Sequence, residues 1–160
     1  MKYFYTVMDT PVGDIVLIAD NKNLCSIYWP NQEPDKKKFL NLERKDHSKV
    51  LRTVVKQLYQ YFEGKRPVFD LPIKMVGTAF QRKVWDALSS IKFGETVSYR
   101  DIAKKVGNPK AVRAVGAAIG KNPISIIIPC HRVIWANGKL TGFACGVVAK
   151  ELLLDLENRA

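Results

Sequence analysis

The chain has 160 residues, and its 26 lysines and arginines against 15 aspartates and glutamates give a formal charge of +11. This length suits one large domain or two small ones with a core that needs no disulfides or metals. No apolar window reaches the roughly 18 residues of a membrane-spanning helix, and the N-terminus lacks the features of a signal peptide. The charge fits either a polyanionic partner such as nucleic acid or a solubilising surface.

The first half of the chain predicts strands followed by a helix. Polar residues 31–48 predict a solvated loop or a weak helix, and Gly64 ends the helix that follows. The stretch from Lys65 to Val76 contains two prolines and marks a boundary between two differently built halves. The antiparallel strands are expected at Tyr3–Met8, Ile15–Ala19 and Leu24–Trp29, and the apolar face of the helix at Leu51, Val54, Val55, Leu58 and Phe62.

The second half predicts mostly helices. Two capping boxes open the first two of them, at Thr78 with Gln81 and at Ser98 with Asp101. After Gly107, Asn108 suits the N-cap and Pro109 the first position of a third helix that runs to about Ile119. A continuous apolar run then predicts a buried segment at Ile124–Ile128, and a last amphipathic helix carries Ala149, Leu152, Leu153 and Leu156.

The second and third of these helices form a pattern typical of a helix-turn-helix, whose second helix enters a groove of DNA. Seven basic and two acidic residues lie between Lys92 and Lys121, which favours contact with phosphates. The side chains of Lys110–Ile119 are small, so the helix offers few hydrogen bonds to base edges. Alternatively, these alanines only allow two core helices to pack tightly.

A cysteine next to a histidine is the sharpest chemical feature. Cys130 is nucleophilic only as a thiolate, and His131 could remove its proton. Neighbours on a strand face opposite sides, so a turn or a bridging water is required. Glu157 or Glu151 could orient the imidazole. The alternative is an inert buried cysteine beside a surface histidine.

The remaining cysteines and histidines give no further chemical site. Cys25, Cys130 and Cys145 form no CxxC pair, and His47 is the only histidine besides His131. So few and scattered ligands predict neither a disulfide framework nor a four-ligand zinc site, and no metal is expected. The low cysteine count also predicts a reducing, intracellular compartment.

Motifs stand in a fixed order in the second half of the chain. They are GTAFQRKVW at 77–85, GETVSY at 94–99, GNPKAVRAVG at 107–116, Asn122-Pro123, PCHRV at 129–133, Gly142-Phe143-Ala144 and Lys150-Glu151. This series resembles the O6-alkylguanine-DNA alkyltransferase family. The resemblance is dense from Gly77 to Glu157 and weak over Met1–Val76.

The resemblance implies an α+β protein of two domains. Residues 1–74 would form an α/β domain with a three-stranded antiparallel, ribonuclease-H-like sheet, and residues 75–160 a mostly helical domain with the helix-turn-helix and the alkyl acceptor. The implied protein is a monomer that binds damaged double-stranded DNA through the minor groove, without sequence preference. No association with a membrane is expected. Its expected location is the cytoplasm, at the nucleoid of a prokaryote, or the nucleus of a eukaryote.

The implied activity is that of a methylated-DNA–[protein]-cysteine S-methyltransferase. Such a protein flips O6-alkylguanine, and less efficiently O4-alkylthymine, out of the duplex and moves the alkyl group irreversibly to one cysteine, here Cys130. Each molecule reacts once, and no cofactor is needed. By resemblance, His131 takes the proton of Cys130 through a water, Glu157 orients His131, Asn122 holds the active-site turn, and Tyr99 bonds to guanine and crowds its 3′ phosphate.

The remaining implied residues bind DNA or line the guanine pocket. Arg113 fills the stack that the flipped base leaves. The DNA-binding surface comprises Arg113, Tyr99, Lys110, Ala111, Ala114 and Gly116, and the pocket comprises Val133, Ser125, Trp135, Phe143, Ala144 and Cys145. Phe143 stands where many members have tyrosine, Ala144 where some have serine, and Ser125 where some have proline. Cys145 replaces the usual glycine, so it would narrow the pocket or form a disulfide with Cys130 under oxidation.

Three other functions fit less well. A non-catalytic lesion-binding relative lacks the acceptor cysteine, which is present here. A helix-turn-helix regulator would need a helix that reads bases and dimeric half-sites. A cysteine hydrolase would need an oxyanion-hole motif, and none is evident.

Overall fold

The computed structural model describes residues 2–138 and 146–159. Its first sheet consists of strands that short turns connect and whose side chains alternate between buried and more exposed positions. The chain divides into one unit that ends at Met75 and another that begins at Val76. In the first unit, β1 (Phe4–Thr10), β2 (Gly13–Ala19) and β3 (Leu24–Tyr28) form the antiparallel meander that the sequence predicts. Their inward side chains are β-branched, aliphatic or aromatic, and they supply the core of this unit.

A fourth strand, β4 (Glu43–Arg44), pairs in parallel with β1 and gives the strand order β3-β2-β1-β4. It lies in the segment that the sequence predicts as a loop or weak helix, and its two residues are too few to show a period. Helix α1 (Lys49–Phe62) begins at Ser48, whose hydroxyl accepts a hydrogen bond from the Leu51 amide. Its buried face packs on the sheet at Leu51, Val54, Gln57, Leu58 and Tyr61.

Three helices precede the active-site turn in the second unit. They are α2 (Ala79–Ser89), α3 (Tyr99–Lys105) and α4 (Val112–Gly120), with a short strand β5 (Val97–Ser98) before α3. Both predicted capping boxes are present, Thr78 with Gln81 and Ser98 with Asp101. The indole Nε1 of Trp85 donates to the Ala118 carbonyl at 2.9 Å and ties α2 to α4.

The predicted start of α4 is wrong. The sequence places the N-cap at Asn108 and includes Lys110 in the helix, whereas the helix begins at Val112 after Ala111. The reason is a tight turn over these residues, in which the Ala111 amide donates to the Asn108 carbonyl at 3.0 Å. Pro109 therefore stabilises a turn here, a position that its fixed φ serves equally well.

The chain ends in helix α5 (Val147–Arg159), and strand β6 (Val133–Ile134) precedes it and pairs in parallel with β5. Within the described part of the chain, no helix is long and apolar enough to cross a membrane.

Candidate active site

Cys130, His131 and Arg132 occupy a single turn of 3₁₀ helix, and all three are buried. The turn follows an apolar loop in which Ile126 has a φ of 74°, a conformation that is rare for a β-branched residue. Because the backbone turns at Cys130, the alternation of an extended strand does not apply to the Cys-His pair. Of the two alternatives that the sequence leaves open, a turn and a bridging water, the turn is therefore present.

Asn122 braces this loop from the end of α4. Its Nδ2 donates to the Ile128 carbonyl at 2.8 Å, and its Oδ1 accepts from the Ile124 amide at 3.0 Å. The two hydrogen bonds close the loop that leads into Cys130. The side chain thereby couples the position of the active-site turn to the C-terminal end of α4.

The Cys130 thiol is only 3% exposed and lies 4.0 Å from the Ser125 hydroxyl. Burial raises the pKa of Cys130, while hydrogen bonds from Asn122 and Ser125 and the charge of Lys150 act in the opposite direction. A raised thiol pKa means that the resting side chain is protonated. Formation of the thiolate therefore requires a base at this site.

His131 is fully buried and meets Glu157 through its Nε2, which lies 2.6 Å from Oε2 of the carboxylate. Its other nitrogen, Nδ1, is buried and has no hydrogen-bond partner among the described residues. Burial lowers the pKa of His131, although Glu157 opposes this shift. A neutral imidazole that donates from Nε2 leaves a lone pair on Nδ1, which is the form of a general base.

Glu157 is balanced by a second partner, the buried guanidinium of Arg132. Oε1 accepts from Nε at 2.8 Å, and Oε2 accepts from Nη2 at 3.0 Å. The remaining arm of Arg132 donates from Nη1 to the Ile91 carbonyl at 2.7 Å, and the Gly94 amide donates to Glu157 at 3.3 Å. This bidentate pair neutralises the carboxylate, so His131 need not be charged at rest. The other carboxylate that the sequence offers, Glu151, is exposed.

Lys150 is a buried cation for which the sequence motifs imply no role. Its side chain has no exposed area, and Nζ donates to the Val133 carbonyl at 2.6 Å. The ammonium also lies 6.0 Å from the centroid of the Tyr99 ring. The sequence spacing could have indicated that Lys150 lies near the site. Lys150 and Glu157 are seven residues apart and therefore share one face of α5.

Tyr99 and Trp135 stack beside the turn, with ring centroids 4.4 Å apart and planes inclined by 35°. The contact follows from the β5–β6 register, in which Ser98 pairs with Ile134, so that Tyr99 and Trp135 come next on the two strands. Tyr99 is buried, whereas Trp135 is 40% exposed. Burial, and secondarily Cys130, raises the pKa of Tyr99, which keeps its phenol as a hydrogen-bond donor.

Several small side chains of α4 face solvent, whereas Ala118 is buried. Arg113, Ala114 and Ala117 are exposed, and a Cβ added to Gly116 would meet no atom within 4 Å. The packed face of the helix is instead formed by Val115, Ala118 and Ile119. The exposed small residues therefore do not serve tight helix packing, which involves the buried Ala118 instead.

Three of the predicted pocket residues, Phe143, Ala144 and Cys145, lie outside the described residues, as does the predicted Cys130–Cys145 disulfide. Of the others, Val133 and Ser125 are buried, on either side of Cys130 in the chain. Within residues 2–138 and 146–159, no group of three or more His, Cys, Asp or Glu side chains is placed to hold a metal ion.

Two family profiles together match nearly the whole chain. Residues 3–75 match the ribonuclease-like domain of 6-O-methylguanine DNA methyltransferase, and residues 79–159 match its DNA binding domain. The methylated-DNA–protein-cysteine methyltransferase of Methanosarcina acetivorans is 46% identical over 159 residues, which cover 97% of this chain and 98% of that protein. The inducible methyltransferase of that name from Bacillus subtilis is 57% identical over 104 residues, 65% of this chain and 58% of its own.

Solved structures resemble the fold over the same length. The O6-methylguanine methyltransferase of Mycobacterium tuberculosis has a TM-score of 0.90 and 40% identity, with 98% of this chain and 93% of that chain covered. The crystal structure of the M. tuberculosis protein in complex with DNA has a TM-score of 0.89 and 40% identity, with 99% and 94% covered.

Proposed function

Because the chain belongs to the 6-O-methylguanine DNA methyltransferase family, it is a DNA repair protein that transfers an alkyl group from DNA to a cysteine, and we propose that this cysteine is Cys130. The observation that carries the assignment is Nδ1 of His131, which is buried one residue from the thiol and has no hydrogen-bond partner among residues 2–138 and 146–159. In a structural histidine, both ring nitrogens would find partners. Here Glu157 fixes one nitrogen, and no described residue bonds to the other, which can therefore accept a proton.

The reaction that these residues support is a direct displacement. The thiol proton of Cys130 passes through a bridging water to Nδ1 of His131, and Sγ attacks the alkyl carbon attached to O6. The S–C bond forms as the C–O6 bond breaks, and the electron pair of that bond stays on guanine. The phenol of Tyr99 donates a hydrogen bond to the leaving base, which lowers the cost of its charge. The product is a stable thioether, so each molecule reacts once.

Glu157 and Lys150 stabilise the two charges that form in this step, on His131 and on Cys130. The carboxylate of Glu157 stabilises the imidazolium that forms on His131. Lys150 places a positive charge near the thiolate, which favours ionisation of Cys130. Its hydrogen bond also holds the Val133 carbonyl, the group that we assign, with the Cys130 carbonyl, to the exocyclic amine of guanine.

For the DNA, we propose that the exposed small face of α4 enters the minor groove. Ala114 and Gly116 permit close approach of the helix backbone, and Arg113 fills the space of the flipped base. Lys110, Ala111 and Tyr99 complete this surface. We further propose that the protein acts as a monomer in the compartment that holds the DNA, the cytoplasm or nucleus.

The test is a mass measurement. The protein is incubated with a duplex that contains O6-methylguanine and is then digested. We expect a gain of one methylene on the peptide that contains Cys130, with one methyl transferred per molecule. An unmodified duplex is the control. Binding of the methylated duplex without any mass gain would instead identify a lesion-binding protein, and a gain on another cysteine would refute the assignment of Cys130.

Gly116→Ala separates a DNA-binding role of α4 from a packing role. Because the added methyl meets open space, we expect the helix to gain up to about 1 kcal/mol in free energy of unfolding, the difference between alanine and glycine in a helix. The same methyl should obstruct the close approach to the minor groove and weaken duplex binding. Chemical denaturation and a binding titration measure the two effects. Unchanged DNA affinity would remove Gly116 from the interface.

A further inference from the structure

Helix α1, in the unit that does not contain Cys130, carries a row of cations on its solvent face. Lys49, Arg52 and Lys56 stand at i, i+3 and i+7, so they share one side of the helix, and all three are exposed. We call these three residues the basic stripe. Tyr59 takes the next helical step along the same side and is 60% exposed. Exposed aromatic side chains often accompany cations on surfaces that bind nucleic acid.

The charge of the basic stripe is not neutralised within the described part of the chain. Helix α1 contains no acidic residue, and none of the three cations forms an ion pair with a described residue. Three other basic residues of this unit, Lys2, Arg44 and Lys65, do form ion pairs, as Arg44 does with Asp46 at 2.9 Å. An unpaired row of like charges on one helix costs stability, because each cation repels the next. A partner of opposite charge would remove that cost.

The basic stripe also borders a groove. Arg52, Lys56 and Tyr59 line one side of an open depression of about 810 Å³, with residues of β1 and Arg44 on the other side. Three carboxylates also line it: Asp46, Asp9 and Glu63. Asp46 is engaged by Arg44 and by the Thr6 hydroxyl at 2.8 Å. Glu63 lies 3.8 Å from the ammonium of Lys65. Arg52 and Lys56 thus form a positively charged side of the groove, and Lys49 continues the stripe beyond its lining.

We propose that the basic stripe is a second DNA-contact surface, which binds phosphates of the duplex backbone separately from α4. The inference rests on the DNA binding of this family. The three cations span about 10 Å along the helix axis, and duplex DNA carries one charge for about every 1.7 Å of its axis, so several phosphates lie within reach. Such contacts carry no sequence information, which suits a protein that must search any sequence for damage.

The test compares the salt dependence of DNA binding. The triple variant K49Q/R52Q/K56Q and the native protein are titrated with an unmodified duplex several helical turns long over a range of salt concentrations. The slope of log K against log salt should be less steep in the variant by about 0.9 for each phosphate that the variant no longer neutralises. Transfer from the free base O6-methylguanine, which has no phosphates, should proceed in the variant at the native rate.

A second triple variant, K22Q/K36Q/K37Q, is the matched control. It removes the same charge from exposed lysines of the same unit, so its slope should stay near that of the native protein. Equal slopes for the native protein and the stripe variant would overturn the proposal, as would an equal reduction in the control. Because free-base transfer is measured separately, failure of this proposal is distinct from failure of Cys130 as the acceptor.

Discussion

Cys130→Ser is expected to abolish alkyl transfer while the protein still folds and binds duplex DNA. Serine is nearly isosteric with cysteine and fits the buried site beside Ser125. Its hydroxyl is a far weaker nucleophile, because it does not ionise in the range in which the neutral imidazole of His131 accepts a proton. Transfer is measured as loss of the radiolabelled methyl group from DNA, and binding as the Kd for an O6-methylguanine duplex.

Cys25→Ser is the matched control for this variant. Cys25 is also buried and unbonded to another cysteine, but it lies in the unit that does not contain the active-site turn. We expect this variant to transfer the methyl group at the native rate. If Cys130→Ser lost duplex binding to the same extent as transfer, the residue would be maintaining the fold, and its assignment as the acceptor would fail.

The features that sequence predicts well are those with a local signal. The two capping boxes each join residues three positions apart, and both form as predicted. For the Cys-His pair, the sequence leaves both a turn and a bridging water open, and the structure shows the turn. In each case, the interacting groups are close in sequence, so few alternative partners compete.

The features that sequence does not reveal depend on distant partners. Strand β4 forms by pairing with the edge of β1. Its two residues are too few to show a periodic pattern in the sequence. Arg132 pairs with a carboxylate 25 residues away, and Lys150 donates to a carbonyl 17 residues away. The prediction of where α4 begins is wrong for a different reason. Asn108 and Pro109 suit both a helix N-terminus and a turn, and the local preferences do not separate the two.

Glu157→Gln is expected to cause a large loss of stability. The buried guanidinium of Arg132 would keep its charge and lose its counter-charge, and breaking a buried ion pair in this way costs about 3–5 kcal/mol in free energy of unfolding. Denaturant unfolding at about pH 8 measures the effect. Above the ordinary histidine pKa of about 6.5, His131 is neutral in both the folded and unfolded states, so its titration does not contribute.

The same substitution should slow methyl transfer by about 10²-fold or more, because the imidazolium that forms on His131 loses its stabilising charge and general-base assistance is worth about 10²–10⁴-fold. Glu151→Gln is the control, since it makes the same change at an exposed position of α5, and it should leave both stability and rate near the native values. A Glu157→Gln protein with native stability would show that Arg132 does not depend on the carboxylate. Native stability with a slow reaction would assign Glu157 to the proton transfer alone.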